Sequence, residues 1–283
     1  MNLKEILESY RTALHAQYDP NEVDALFYIA VEFLTGFSRN QINLHLDQHI
    51  TVDDVTQYIS ILKRLQEQEP LQYILEEAYF YGLKFKVNTS VLIPRPETEE
   101  LVFLIVNDLK NNPHSSKVLD IGTGSGCIAI ALKHMLPKAQ VSALDISETA
   151  LAVAKENAVL NKTDITFINS DIRTYSSHEK YDIIVSNPPY ITETEAALME
   201  SNVVDFEPHL ALFVKDQNPL EFYIAIADFA KKSLDDNGKL YFEINANYGL
   251  QTKEMLLQKT FKNVELLQDM QGKDRFIKAI KSC

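Results

Sequence analysis

The chain has 283 residues, 46% hydrophobic and 24% charged, the balance of an ordinary folded protein with room for one large or two moderate domains. A net charge of −13 argues against broad adhesion to nucleic acid, and no apolar run reaches the length that spans a bilayer. The start, "MNLKEILESY", reads as an amphipathic helix and not as a signal peptide, so the expected compartment is the cytoplasm, with Cys127 a small buried side chain and Cys283 a free terminal thiol.

Residues 1–74 carry helical periodicity. Leu3, Ile6 and Leu7 recur at that spacing, as do Ala25, Leu26, Ile29, Ala30 and Leu34. "TVDDVTQYISILKRLQEQEP" opens on capping residues and runs through Val55, Tyr58, Ile59, Leu62 and Leu65 to Pro70. Three or four short helices are predicted, with turns near Asp19-Pro20 and Gly36. Over residues 75–93 the period drops to two, and Tyr79, Phe80, Tyr81 and Phe85 around Gly82 predict a linking β-hairpin.

Residues 94–283 alternate strands and helices. Pro94 and Pro96 stiffen the entry to the helix "ETEELVFLIVNDLK". "KVLDI", "QVSALDI", "ITFINSD", "YDIIVSN" and "GKLYFEIN" read as strands with helices between them, and "GKDRFIKAIKS" as a closing edge strand. That order predicts an α/β fold, a doubly wound sheet covered on both faces.

In "VLDIGTGSGCIAIAL" the first of these strands ends at Asp120 and Ile121 and turns through Gly122, Thr123 and Gly124 into a helix. Glycines let the backbone approach a ligand, and Asp145, ending the next strand, can accept both hydroxyls of a ribose. A dinucleotide site would place G-x-G-x-x-G against a pyrophosphate. Here the spacing is G-x-G-x-G and Asp120 precedes it, which repels phosphate and suits the cationic tail of S-adenosyl-L-methionine. "NSDIR" adds Asp171 as a partner for the adenine amino group and Ile172 as a surface for its ring.

"DIIVSNPPYI" ends a buried strand abruptly at Asn187, Pro188, Pro189 and Tyr190. Two prolines remove two backbone donors, so the loop offers acceptors. Asn187 Oδ1 and the Pro188 carbonyl can take the two N–H bonds of a planar NH2 group while Tyr190 stacks on it. The nitrogen lone pair then faces the methyl donor, and no metal is required.

These motifs resemble the bacterial-type release-factor glutamine methyltransferases. "NPPY" is shared with enzymes that methylate amino groups of adenine in DNA, whereas "VLIPRPETEELV" (Val91–Val102) is the sharper match, supported by "FEPHLAL" and "DMQGKDR". The resemblance implies a seven-stranded Rossmann-like fold with an antiparallel strand in its last hairpin and a small N-terminal helical domain. It implies S-adenosyl-L-methionine held by Asp120, Ile121, Gly122, Thr123, Gly124, Asp145, Asp171, Ile172 and Asn187, leaving as S-adenosyl-L-homocysteine. It also implies a glutamine gripped by Asn187, Pro188, Pro189 and Tyr190, in the Gly-Gly-Gln motif of class 1 peptide-chain release factors. Arg95 and Glu97 either shape the crevice rim or pin the hairpin by a local ion pair, and Glu207, before Pro208, is expected to order the loop over the substrate. Gln68 and Glu76 stand where the family carries glycines, and "EINANYG" replaces a family glycine and glutamine with Asn245 and Tyr248. A nucleic-acid amino methyltransferase is the alternative, but it needs a basic track that the acidic front segment lacks. A scaffold without turnover and a small-molecule methyltransferase are the other readings. A monomer that binds neither membrane nor nucleic acid is expected.

Overall fold

The computed structural model describes residues 1–110, 116–197, 199 and 201–282. Cys283 lies outside them. Two compact units are present. One comprises Met1–Glu77 together with Ser201–Phe206, and the rest of the described chain from Ala78 onward forms the other.

The first unit holds α1 (Leu3–Leu14), α2 (Pro20–Thr35), α3 (Arg39–His45), α4 (Val52–Gln66) and α5 (Leu71–Leu75). The stops and starts follow local chemistry. Asn2 and Glu5 form a reciprocal cap on α1, and Thr51 and Asp54 do the same on α4. Pro20 opens α2 and Gly36 closes it with a left-handed φ of 71°. Tyr10 meets Phe27 edge to face at 5.7 Å, and its buried hydroxyl donates to the Tyr58 carbonyl at 3.0 Å. Gln68 and Glu76, which the resemblance sets where the family carries glycines, both sit at positive φ, 62° and 55°. Their backbone takes the shape that glycine adopts most cheaply.

The second unit opens with the hairpin β1 (Glu77–Phe80) and β2 (Leu83–Lys86), then α6 (Pro96–Leu109). The sheet strands are β3 (Lys117–Ile121), β4 (Gln140–Asp145), β5 (Ile165–Asn169) and β6 (Tyr181–Ser186), with α7 (Cys127–Met135) and α8 (Glu148–Leu160) between the first three. The short β7 (Ile191–Thr192) follows the loop after β6. It is separated in sequence from its parallel partner β8 (Phe213–Val214) by α9 (Glu193–Ala196), by α10 (Ser201–Phe206), which belongs to the first unit, and by α11 (His209–Leu212). The chain ends with α12 (Glu221–Ser233), β9 (Leu234–Glu243), α13 (Gly249–Gln258), β10 (Lys262–Gln268) and β11 (Asp274–Ile280).

The seven strands stand in the order β10-β11-β9-β6-β3-β4-β5, with β11 antiparallel to both neighbours. The closing strand β11 is therefore interior, whereas the sequence reading expects it at the edge. β10 takes the edge, and its one fully buried side chain is Val264, too sparse a pattern to announce a strand. Alternating side chains feed two cores. Val185 joins Leu101, Ile128 and Val141 on one face, while Ile184 joins Tyr223, Ile226 and Leu240 on the other. Sequence order runs outward in opposite directions from β3 and β6, so a crevice opens at their carboxyl ends. No helix among the described residues is long and apolar enough to cross a membrane.

Candidate active site

A cavity of about 360 Å³ occupies that crevice, walled by the Ile121–Ser125 turn, Asp145, Ile172 and Asn187–Pro189. Gly122 and Gly124 have φ of +72° and +54°, and a Cβ built on either would meet no atom within 4 Å. Gly126 is also left-handed, but its Cβ would lie 3.2 Å from that of Ala154. The first two glycines thus face open space, while the third lets α7 approach α8.

Asp145 caps the turn from the side. Its two carboxylate oxygens accept the Gly124 and Ser147 N–H groups, each at 2.9 Å, and burial raises its pKa against those bonds. Asp120 is fully buried behind the turn, and it does not line the cavity. Its Oδ2 accepts the Thr123 hydroxyl at 2.6 Å, whereas Oδ1 has no partner. Burial outweighs that bond and pushes the group up to about 7. Asp171 and Ile172 both line the cavity, with the Asp171 carboxylate gripped by Arg173 at 2.7 Å and held below its ordinary pKa.

Across the cavity, the Ser186 hydroxyl donates to the Ile121 carbonyl at 2.6 Å and ties the end of β6 to that of β3. Asn187 follows directly. Its Nδ2 donates to Thr98 Oγ1 at 3.3 Å, and Thr98 in turn donates to Glu243 Oε2 at 2.6 Å. The other oxygen of Glu243 accepts the Tyr190 hydroxyl at 3.1 Å. Glu243 is buried, which raises its pKa against the two hydroxyls and the nearby Arg275 charge. Asn245 Nδ2 donates to the Tyr190 carbonyl at 3.1 Å and to Glu195 at 2.9 Å. On the rim, the buried Glu207 carboxylate accepts from Arg95 at 2.6 Å and from the Ile93 N–H at 3.2 Å.

Residues 5–75 match the PrmC N-terminal domain and residues 102–205 match the Methyltransferase small domain. The release factor glutamine methyltransferase of Flavobacterium psychrophilum is 47% identical over 280 residues, covering 96% of this chain and 98% of that one. The chain belongs to the release factor glutamine methyltransferase family. The member from Bacteroides thetaiotaomicron is 46% identical, covering 95% and 96% of the two chains. A methyltransferase from Pyrococcus furiosus shares the fold, with a TM-score of 0.53 at 15% identity over 82% of this chain and the whole of that one.

Against that family pattern, the sequence-predicted residues fall into three groups. Ile121, Gly122, Thr123, Gly124, Asp145, Asp171, Ile172, Asn187, Pro188 and Pro189 all line one cavity. Asp120 stands behind it. Tyr190 is not on the cavity wall, since its hydroxyl is committed to Glu243 and its ring packs with the Tyr223 core. Arg95 and Glu207 pair with each other, so the two matched segments are pinned together across 112 residues of sequence. Asn245 supports the Tyr190 carbonyl. Thr98 and Glu243 were not expected at the site. The signal for Glu243 was an acid inside the apolar run "KLYFEIN", where a charge needs a buried partner.

The donor set fits a nucleoside with a cationic tail. Two glycines leave the turn open to a close ligand, and Asp145 keeps lone pairs for ribose hydroxyls beyond its two backbone bonds. Behind the turn, Asp120 keeps Oδ1 unpartnered and gains its negative charge as pH rises through about 7.

Proposed function

We propose that this chain methylates the side-chain amide nitrogen of the glutamine in the Gly-Gly-Gln motif of class 1 peptide-chain release factors. The observation that carries the reading is Asn187, placed at the end of β6 on the cavity wall with Nδ2 engaged by Thr98. Its Oδ1 has no hydrogen bond among the described residues, so it is free to accept from an NH2 group. The Pro188 carbonyl supplies a second acceptor, and proline offers no competing donor.

S-Adenosyl-L-methionine, held by the Ile121–Gly124 turn, Asp145, Asp171 and Ile172, would supply an electrophilic methyl group and leave as S-adenosyl-L-homocysteine. The chain's own part is orientation. Two acceptors fix the plane of the target amide and turn its nitrogen toward the glycine turn. As the N–C bond forms, that nitrogen becomes positive and its N–H bonds strengthen, so the acceptors favour the transition state over the ground state. The methylated nitrogen then gives up its extra proton to solvent water, which restores a neutral amide beside neutral S-adenosyl-L-homocysteine. Fixed hydrogen bonds and charge suffice for these steps, and we assign the work to a cytoplasmic monomer acting on a protein.

Intact mass spectrometry after incubation with S-adenosyl-L-methionine and an unmodified release factor tests the reading. One added methyl group on the Gly-Gly-Gln glutamine is expected, with the rate falling roughly 10²–10³-fold in Asn187→Ala. Transfer to adenine in DNA or RNA, with the release factor unmodified, would replace this reading with the amino-group one.

A further inference from the structure

The site must tell a glutamine from a glutamate, two side chains of the same shape. An acceptor at Asn187 recognises the amide NH2 and repels a carboxylate, whereas a donor there would do the reverse. Asn187 can present either, because its carboxamide is nearly symmetric in shape. Something must therefore choose which end faces the cavity.

We propose that Thr98 and Glu243 are the positioning residues that set this choice, so that the site selects a carboxamide over a carboxylate. The inference rests on the proposed glutamine substrate. Thr98 has one hydroxyl proton, and it goes to Glu243 Oε2 at 2.6 Å, the length of a charge-assisted O–H···O⁻ bond. Glu243 Oε1 accepts the Tyr190 hydroxyl, so both carboxylate oxygens act as acceptors. With its proton spent, Thr98 Oγ1 has only lone pairs for Asn187, and only the NH2 end of Asn187 can meet it. Asn187 Oδ1 is thereby directed away from Thr98 and kept as the acceptor for the target. Tyr190 anchors the other side of the same carboxylate, which gives the tyrosine of the Asn-Pro-Pro-Tyr loop a place in the chain of bonds.

The polarity of this chain can be inverted by one change. In Glu243→Gln the side-chain oxygen still accepts from Tyr190, which leaves the amide NH2 facing Thr98. Thr98 then accepts from residue 243 and sends its proton to Asn187, whose Oδ1 must turn inward. The NH2 of Asn187 now points at the target. Thr98→Val removes the chooser altogether, while Thr98→Ser keeps the hydroxyl.

The test measures binding of an unmodified release factor and its Gly-Gly-Glu counterpart to the full-length wild type, Glu243→Gln, Thr98→Val and Thr98→Ser, beside methyl transfer to the former. The wild type should prefer the glutamine form. Glu243→Gln should shift the ratio of the two affinities toward the glutamate form by roughly ten-fold or more, and lose methylation. Thr98→Val should erode the preference, and Thr98→Ser should restore it. Equal weakening toward both ligands in Glu243→Gln and Thr98→Val would mean a merely structural role and overturn the proposal. So would equal loss in Thr98→Ser and Thr98→Val. If the wild type binds neither form preferentially and leaves the glutamine unmodified, the functional reading falls and this one with it. An active, glutamine-selective wild type whose Glu243→Gln variant stays selective overturns only the proposal.

Discussion

Asp120 and Glu243 are carboxylates that the fold removes from water, and each is given a hydroxyl partner. They differ in how far that partnership goes. Both oxygens of Glu243 are bonded, whereas Asp120 keeps one oxygen orphaned and stands at about 7. An unfolded aspartate titrates near 3.9, so between those values the folded chain holds a proton that the unfolded chain has lost. The stability associated with Asp120 is thus full below the lower value and is lost as pH rises through about 7, by roughly 4 kcal/mol across the interval. Asp120→Asn keeps an acceptor for Thr123 and removes the titration. Thermal melts of the ligand-free protein from pH 5 to 8 should therefore decline less steeply in Asp120→Asn than in the wild type. The variant should also bind S-adenosyl-L-homocysteine more weakly above pH 7, because the charge behind the turn is gone. Parallel melting curves for the two proteins would show that Asp120 is ionised at all these pH values.

At the scale of elements, the glycine turn separates ligand space from packing space. Gly124→Ala puts a side chain at φ +54° with open room around it, a strain of roughly 1–2 kcal/mol, but the new methyl enters the cavity. Gly126→Ala adds contacts of 3.1 Å to Ile130 and 3.2 Å to Ala154 to a similar strain, for about 2–4 kcal/mol in all. Urea unfolding should show Gly126→Ala as the less stable of the two. Calorimetry should show Gly124→Ala as the poorer binder of S-adenosyl-L-homocysteine, by about ten-fold or more. That the turn mattered was legible in sequence, as were the cap at Thr51, the turn at Asp19-Pro20 and the strands β3, β4, β6 and β9. Each is announced by its own residues. β10 was not legible because an edge strand buries little, and α9 to α11 were not because helices of four to six residues carry too few turns for a period. The positive φ of Gln68 and Glu76 was not legible, since neither residue signals a left-handed backbone by itself.

At the scale of the whole chain, the site depends on side chains that join segments far apart in sequence, and these are the part that local pattern cannot reveal. Thr98 reaches Glu243 across 145 residues and Arg95 reaches Glu207 across 112. Asn157 is a further tie, and the most demanding. It is fully buried on α8. Its Oδ1 accepts the Lys86 N–H at 2.6 Å, and its Nδ2 donates to the carbonyls of Lys86 and Ser125, each at 2.9 Å. One carboxamide thus stands in for a strand neighbour of β2 and also holds the residue that ends the cavity turn. Asn157→Leu would preserve volume and remove three hydrogen bonds to backbone groups, at roughly 1–3 kcal/mol for each that neither water nor another group replaces. Asn157→Asp is the smaller chemical change, yet it sets a carboxylate against two carbonyl oxygens and should cost as much or more. Urea titrations should therefore place both variants several kcal/mol below the wild type, with unchanged m-values if the folded state stays compact. Hydrogen exchange supplies the sharper reading. The Lys86 amide should lose protection in Asn157→Leu, which removes the Asn157 acceptor, and keep more of it in Asn157→Asp, which retains one there. Equal protection in both variants would mean that the hairpin is held by its apolar contacts, Phe80 and Phe85 above all, and not by this side chain.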